Sequence, residues 1–382
     1  MYHYLLGALP ARLGDEMSGQ TLLLLGIALT GSAGFGATLL AALTLSAAVG
    51  GSLLGALLDR SDQPGKMLAG MLAFYATGIG VIAILANTSP LWLLLVIALL
   101  AGFLMPAISG GWSSQLPIFV SKEQMTRASA LDASSFNLAG LIGPALAGII
   151  SAQAGAHWSV VALITLLLAA VPMAWRLPNR VSSKKARTSI SHDISVGFVA
   201  IIKNRALLRI TLVSVISYAG IGMLWVLYPL IGERLFGNVG WGGVLATAVS
   251  AAALVATAAY AKWPTKWTPD TVAFGTTLIL AVGILLLLVL DNVAVVLAAL
   301  AIIGLADGPQ LAAVFAVRHR EAPEALRSQV FTTAASLKIT AAAVGAAGAG
   351  WLVEAFTLEA TIIAACAAQL VGAIFYCMFR NG

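Results

Sequence analysis

An all-α integral membrane protein, with twelve transmembrane helices in two six-helix halves related by pseudo-two-fold symmetry, is the fold this sequence predicts. The 382 residues are 60% hydrophobic and only 9% charged, with a mean hydropathy of +0.97, whereas an ordinary soluble domain carries about 25% charged residues. The apolar residues come in runs of about 20 or more, the length that crosses a hydrocarbon layer about 30 Å thick at 1.5 Å per residue. The basic residues collect in alternate loops between those runs, the distribution expected of cytoplasmic loops.

In chain order the runs lie near residues 4–30, 34–58, 67–86, 91–118, 128–151, 157–175, 209–232, 240–261, 271–290, 292–317, 328–353 and 358–379. The start, Met1-Tyr2-His3-Tyr4-Leu5, lacks the basic segment and cleavage site of a secretory signal, so the first run is expected to persist as a helix. One set of loops carries Arg60 and Lys66; Lys122 and Arg127; Arg176, Arg180, Lys184, Lys185, Arg187, Lys203, Arg205 and Arg209; Lys262 and Lys266; and Arg318, Arg320 and Arg327. With Arg380 at the tail, these leave, of 21 basic residues, only Arg234 in an opposite loop and Arg12 and Lys338 within runs. Both termini are therefore expected in the cytoplasm, and the chain in a plasma (inner) membrane as a monomer. Trp92, Trp158, Trp241 and Trp351 fall at outer run ends and Trp175, Trp263 and Trp267 at inner ends, the interfacial positions that indole rings favour. Trp112 and Trp225 do not, and are candidates either for packing or for lining a cavity.

The formal net charge is +6, but a nucleic-acid binder gathers its basic residues on one solvated face, and here they occupy short loops, so no nucleic acid is expected as partner. Cys366 and Cys377 both lie in the last run, which excludes a disulfide framework. His3, His157, His192 and His319 stand far apart at run ends or in loops, and neither an ATPase-type glycine loop nor H-E-x-x-H occurs. No metal, cofactor or enzymatic centre is expected.

The longest polar stretch, Arg176 to Asn204, separates a six-run bundle at 1–175 from another at 209–382, with 176–208 as linker. Within the linker Ile194, Phe198, Ile201 and Ile202 recur at helical spacing beside Lys203 and Arg205, as in a surface helix; a purely solvated linker is the alternative. A faint repeat joins the halves. Arg127 opens a run holding Ser135, Asn137 and Gly148, and Arg327 opens one holding Ser336, Lys338 and Gly348. Transporters built from such related halves place the substrate between them near mid-membrane.

Ionisable groups inside a bilayer are costly and point to function by default. The first run contains Arg12, Asp15 and Glu16, with both carboxylates three or four residues from the guanidinium. Asp307 and Lys338 each lie roughly 10 residues, about 15 Å, from a cytoplasmic run end, and Asp15, Glu16 and Asn137 count to about the same depth. A polar layer near mid-membrane follows. Ion pairs of Asp307 with Lys338 and of Arg12 with one acid would leave one carboxylate in surplus. Desolvation favours the neutral form of such a group and lets it exchange protons, so Asp15 or Glu16 is the expected proton carrier.

After the second run the chain reads Gly55-Ala56-Leu57-Leu58-Asp59-Arg60, followed by Gly65-Lys66, and this resembles the signature loop of the major facilitator superfamily. Gly55 permits close helix approach and Asp59 can meet a positive helix N-terminus, so Gly55, Asp59 and Arg60 form an expected cytoplasmic latch. In the fifth run Gly140, Gly143, Pro144 and Gly148 are similar to the antiporter signature of that superfamily's exporters, with Ala147 in place of a usual glycine; a small-residue packing face is the alternative. Arg12-Leu13-Gly14-Asp15, Tyr228-Pro229 before Glu233, and the two-half layout resemble drug and siderophore exporters, while the fourth run has Gly102, Pro106, Gly110 and Trp112 and no arginine. The resemblance implies proton-coupled export of a small amphipathic molecule by alternating access, with the substrate, protons and bilayer as partners. Tyr228 joins Trp112 and Trp225 as an aromatic candidate for the cavity. A metabolite importer or uniporter of the same fold, and a lipid flippase or scramblase, are the alternatives.

Overall fold

The computed structural model describes residues 1–30, 33–179, 190–238, 241–263 and 266–379; Arg180, Lys184, Lys185, Arg187 and Arg380 of the basic segments lie outside them. The described residues form α1 (Tyr2–Thr30), α2 (Ala33–Arg60), α3 (Pro64–Leu85), α4 (Leu91–Gly102), α5 (Met125–Ala154), α6 (Ala156–Trp175), α7 (Ile190–Lys203), α8 (Arg205–Phe236), α9 (Trp241–Lys262), α10 (Pro269–Leu286), α11 (Val293–Glu321), α12 (Arg327–Ala355) and α13 (Leu358–Met378), with short 3-10 and π turns between them. Eleven membrane-length apolar segments, built on α2–α6 and α8–α13, make this a multi-pass membrane protein. The 29-residue α1 matches them in length, but Arg12, Asp15, Glu16 and Gln20 dilute its apolar character.

Local chemistry sets the helix ends. Pro64 opens α3 where its missing amide costs nothing. The side chains of Asn204, Thr268, Asn292 and Thr357 accept hydrogen bonds from first-turn amides of α8, α10, α11 and α13, satisfying donors that a helix start leaves open. Gly237 closes α8 with a φ of 71°, a left-handed conformation that side chains with a Cβ avoid. The run at 91–118 is not one continuous helix. It stops at Gly102 and resumes as a π turn at Ala107–Gly111 after Pro106, which has no amide to donate. At the break, Gly102 presses on α2 so closely that a Cβ would meet the Leu43 carbonyl oxygen at 1.8 Å.

The chain forms two compact units. The first comprises Met1–Val120, Leu138–Val199 and Pro323–Ser336, the second Ser121–Asn137, Ala200–Ala322 and Leu337–Gly382. In the first, α1 packs on α2 and α6, α3 on α4 and α6, and α2 on α4. In the second, α11 packs on α9 and α10, α13 on α8 and α10, and α8 on α9, around a core that includes Leu224, Ile231, Leu280, Leu300 and Ile362. Chain order alone divides 1–175 from 209–382, whereas contacts divide three helices: α5 changes unit after Asn137, α7 after Val199 and α12 after Ser336. The α5 and α12 divisions fall at matching places in the repeat that opens at Arg127 and Arg327. Within 176–208, α7 leaves Phe198, Val199 and Ile202 exposed and buries Ile201. Its Gly197 lies where a Cβ would meet the Gln329 side chain at 2.0 Å.

Candidate functional site

Glu16 and Asp307 are the central residues of 29-residue helices, α1 and α11, and Lys338 lies one turn before the middle of α12. In the first unit Glu16 is exposed and Asp15 partly buried. Glu16 faces α5, because a Cβ added to Gly143 would stand 2.8 Å from Glu16 Cβ. The charged group that acts on Asp15 is Glu16, and the Tyr75 hydroxyl of α3 stands beside Asp15 and Ser18 without completing a hydrogen bond to either. One oxygen of Asp15, Oδ1, is buried with no hydrogen-bond partner.

Arg12 does not hold either carboxylate as its spacing predicts. Its guanidinium donates to the Tyr4 hydroxyl at 3.4 Å and to Ser113 Oγ at 3.0 Å. Long helical side chains lean toward the helix start, which carries the Arg12 head back to Tyr4 and away from residues 15 and 16. Two acids therefore share the middle of α1 without the cation expected to offset one of them.

In the second unit the Lys338 ammonium lies 3.8 Å from the centroid of the Tyr218 ring, which meets Trp225 edge to face at 6.3 Å. An ammonium over an aromatic face is stabilised by the ring quadrupole. Asp307 interacts electrostatically with Lys338 and with Tyr228, and Arg318 acts on Lys338 with the opposite sign. Asp307 and Lys338 are both partly accessible. Of the aromatic candidates, Trp225 is exposed, Tyr228 is buried, and Trp112 is wholly buried, with its ring where a Cβ on Gly7 would lie at 2.4 Å. Trp112 is thus packed inside the first unit. Asn137 donates to Thr257 Oγ1 at 2.8 Å.

The latch residues lie in the first unit. Both oxygens of Asp59 accept backbone amides at the start of α12, from Ser328 at 2.9 Å and Gln329 at 2.8 Å. Gly55 allows this approach, since a Cβ there would meet Thr332 Oγ1 at 2.1 Å and Gln329 Cα at 2.4 Å; Arg60 is exposed. In the antiporter-like stretch Gly143 is held against α1, and Ala147 is wholly buried. Gly140 and Gly148 have open space around them, and Pro144 lies within α5.

Several buried polar groups escape motif reading. Asp132 of α5 and Arg318 of α11 are almost wholly buried, and Arg318 donates to Ser214 Oγ at 2.9 Å. The rule that singled out Asp307 applies equally to Asp132, an acid in an apolar run. Tyr75 and Tyr218 carry no comparable signal. Among the described residues no cluster of His, Cys, Asp and Glu is suited to a metal ion.

Eleven membrane-length apolar segments define a multi-pass membrane protein. The family model of the Major Facilitator Superfamily matches residues 4–331, and the chain belongs to that superfamily, whose members are transporters. No curated protein sequence matches it significantly. Among solved structures it is similar to the human organic anion transporter MFSD10 (TETRAN), with a TM-score of 0.81 at 15% identity over 98% of each chain. A bacterial homologue of the iron transporter ferroportin in an outward-facing state gives 0.82 at 14% identity over 100% of this chain and 99% of that one. The proton:xylose symporter XylE gives 0.74 at 14% identity over 99% and 96%. At such identities the likeness is one of fold.

Proposed function

We propose that this protein is a proton-coupled exporter of a small amphipathic molecule, working by alternating access with α1 as the twelfth span and both termini in the cytoplasm. The observation that carries the reading is the pair of adjacent carboxylates at the middle of α1, one of them exposed, with no cation among their described contacts. A group that must gain and lose a proton within a membrane needs water access and a neighbour that makes its charge costly; Asp15 is that neighbour, and the exposed side of Glu16 is where water would reach the pair. Lys338, on the Tyr218 ring and within reach of Asp307, is the matching polar centre of the second unit. The Asp59 contacts with α12 would latch the cytoplasmic ends. The basic loops support the orientation.

Proteoliposomes loaded with a panel of cationic and anionic fluorescent amphiphiles test this. Antiport predicts that an imposed pH gradient moves at least one dye against the direction of proton flow. Movement with the protons would indicate a symporter, and equilibration of labelled lipids with no dye movement would indicate a lipid-handling protein.

A further inference from the structure

A polar cavity of about 370 Å³ opens at the end of the second unit where the basic residues collect, lined by Arg209 of α8, Asp270 and Phe274 of α10, Arg320 of α11 and Tyr376 of α13, with Thr268 and Thr271 at its rim. That volume falls in the range of small-ligand pockets. Two guanidinium groups face a single lining carboxylate: Arg209 and Arg320 each pair with one oxygen of Asp270. Glu321, outside the lining, takes the Nε of Arg320 at 2.7 Å and is itself bound by Asn204. Arg209 is stacked 4.6 Å from the Tyr376 ring centroid, and that ring stacks on Phe274 at 4.8 Å.

The stacking and the Asp270 pair fix the Arg209 plane and hold its charge at the cavity wall. Arg320 remains 45% exposed, and the exposed Arg205 precedes Arg209 by one helical turn on the same face. Trp263 and Trp267, in the connection leading to Thr268, are both largely exposed, and indole rings in that state mark the headgroup level of a bilayer.

We propose that this cavity binds a phosphate anion at the membrane surface, its oxygens accepting from the Arg320 guanidinium beside the fixed charge of Arg209, and supplied either by an anionic phospholipid headgroup or by a soluble phosphate. Basic pockets between transmembrane helices are suited to anionic headgroups, and paired guanidinium donors match phosphate geometry. The site is independent of the transport reading, since none of its residues lies among the mid-span groups.

Native mass spectrometry of the full chain, with phosphatidylglycerol or phosphatidylcholine added, tests the lipid source. Thermal unfolding in inorganic phosphate against chloride of equal ionic strength tests the soluble one. Phosphatidylglycerol should be retained over phosphatidylcholine, and Arg320→Gln should lower that retention about tenfold, the loss expected of one charge-assisted hydrogen bond. Arg209→Lys keeps a cation for Asp270 but loses the flat stack on Tyr376 that shapes the cavity wall, so it should fold and still bind less. Stabilisation by phosphate that disappears in both variants, without lipid selectivity, assigns the same site to a soluble anion. Retention of phosphatidylglycerol and response to phosphate that are unchanged in both variants overturn the proposal, because the attraction would then belong to the basic surface at large.

Discussion

Arg12 shows how a residue's chemistry can be legible while its partner is not. Its rarity in a membrane-length helix marks it at once, but the spacing to Asp15 and Glu16 points the wrong way, because the direction of a long side chain and the approach of Ser113, 101 residues later, are set by tertiary packing. Arg12→Met should therefore destabilise the first unit, by about 1.5–3 kcal/mol for each charged hydrogen bond lost, and lower the thermal midpoint of the detergent-solubilised protein. An unchanged midpoint would remove Arg12 from the structural role. Lys338 rests on the Tyr218 ring, a contact worth about 2 kcal/mol when desolvated. Tyr218→Leu should weaken dye transport more than Tyr218→Phe does, since Phe keeps the ring face; equal losses would place the effect on the hydroxyl instead.

Element by element, the helices were readable from apolar run length, and the polar groups that end them are those a helix start requires. The break at Gly102 was only half readable: Pro106 withholds the amide that would bond back to Gly102, but the close approach to Leu43 at the same place is set by tertiary packing. The latch was half visible. Asp59 needed positive partners, yet nothing local names the amides of Ser328 and Gln329, some 269 and 270 residues away. Asp59→Asn keeps one acceptor and loses the charge–dipole attraction, about 0.3–1 kcal/mol, whereas Gly55→Ala forces the backbones of α2 and α12 apart. Spin labels at the exposed positions Arg60 and Glu324 should report a modest broadening of the distance for Asp59→Asn and a clear lengthening for Gly55→Ala. Identical distances in all three proteins would make this contact incidental to the fold.

For the whole molecule, composition and the apolar run lengths carry the membrane class, and the repeat at Arg127 and Arg327 falls on two of the three helices that change unit. Side-specific labelling should find position 2, position 203 and the C-terminus on the same face, opposite Arg234; labels on opposite faces would break the even span count. The coupling claim is larger, because it asks one pair of acids to tie proton movement to cargo. It is tested most directly by gradient-driven dye accumulation in proteoliposomes carrying the wild type, Glu16→Gln or Asp15→Asn, with dye exchange down its own gradient measured in parallel. Neutralising the coupling acid should abolish accumulation and leave exchange intact, with Glu16, the exposed member, showing the larger effect. Full pH-driven accumulation in both variants would contradict it and move the coupling site off α1.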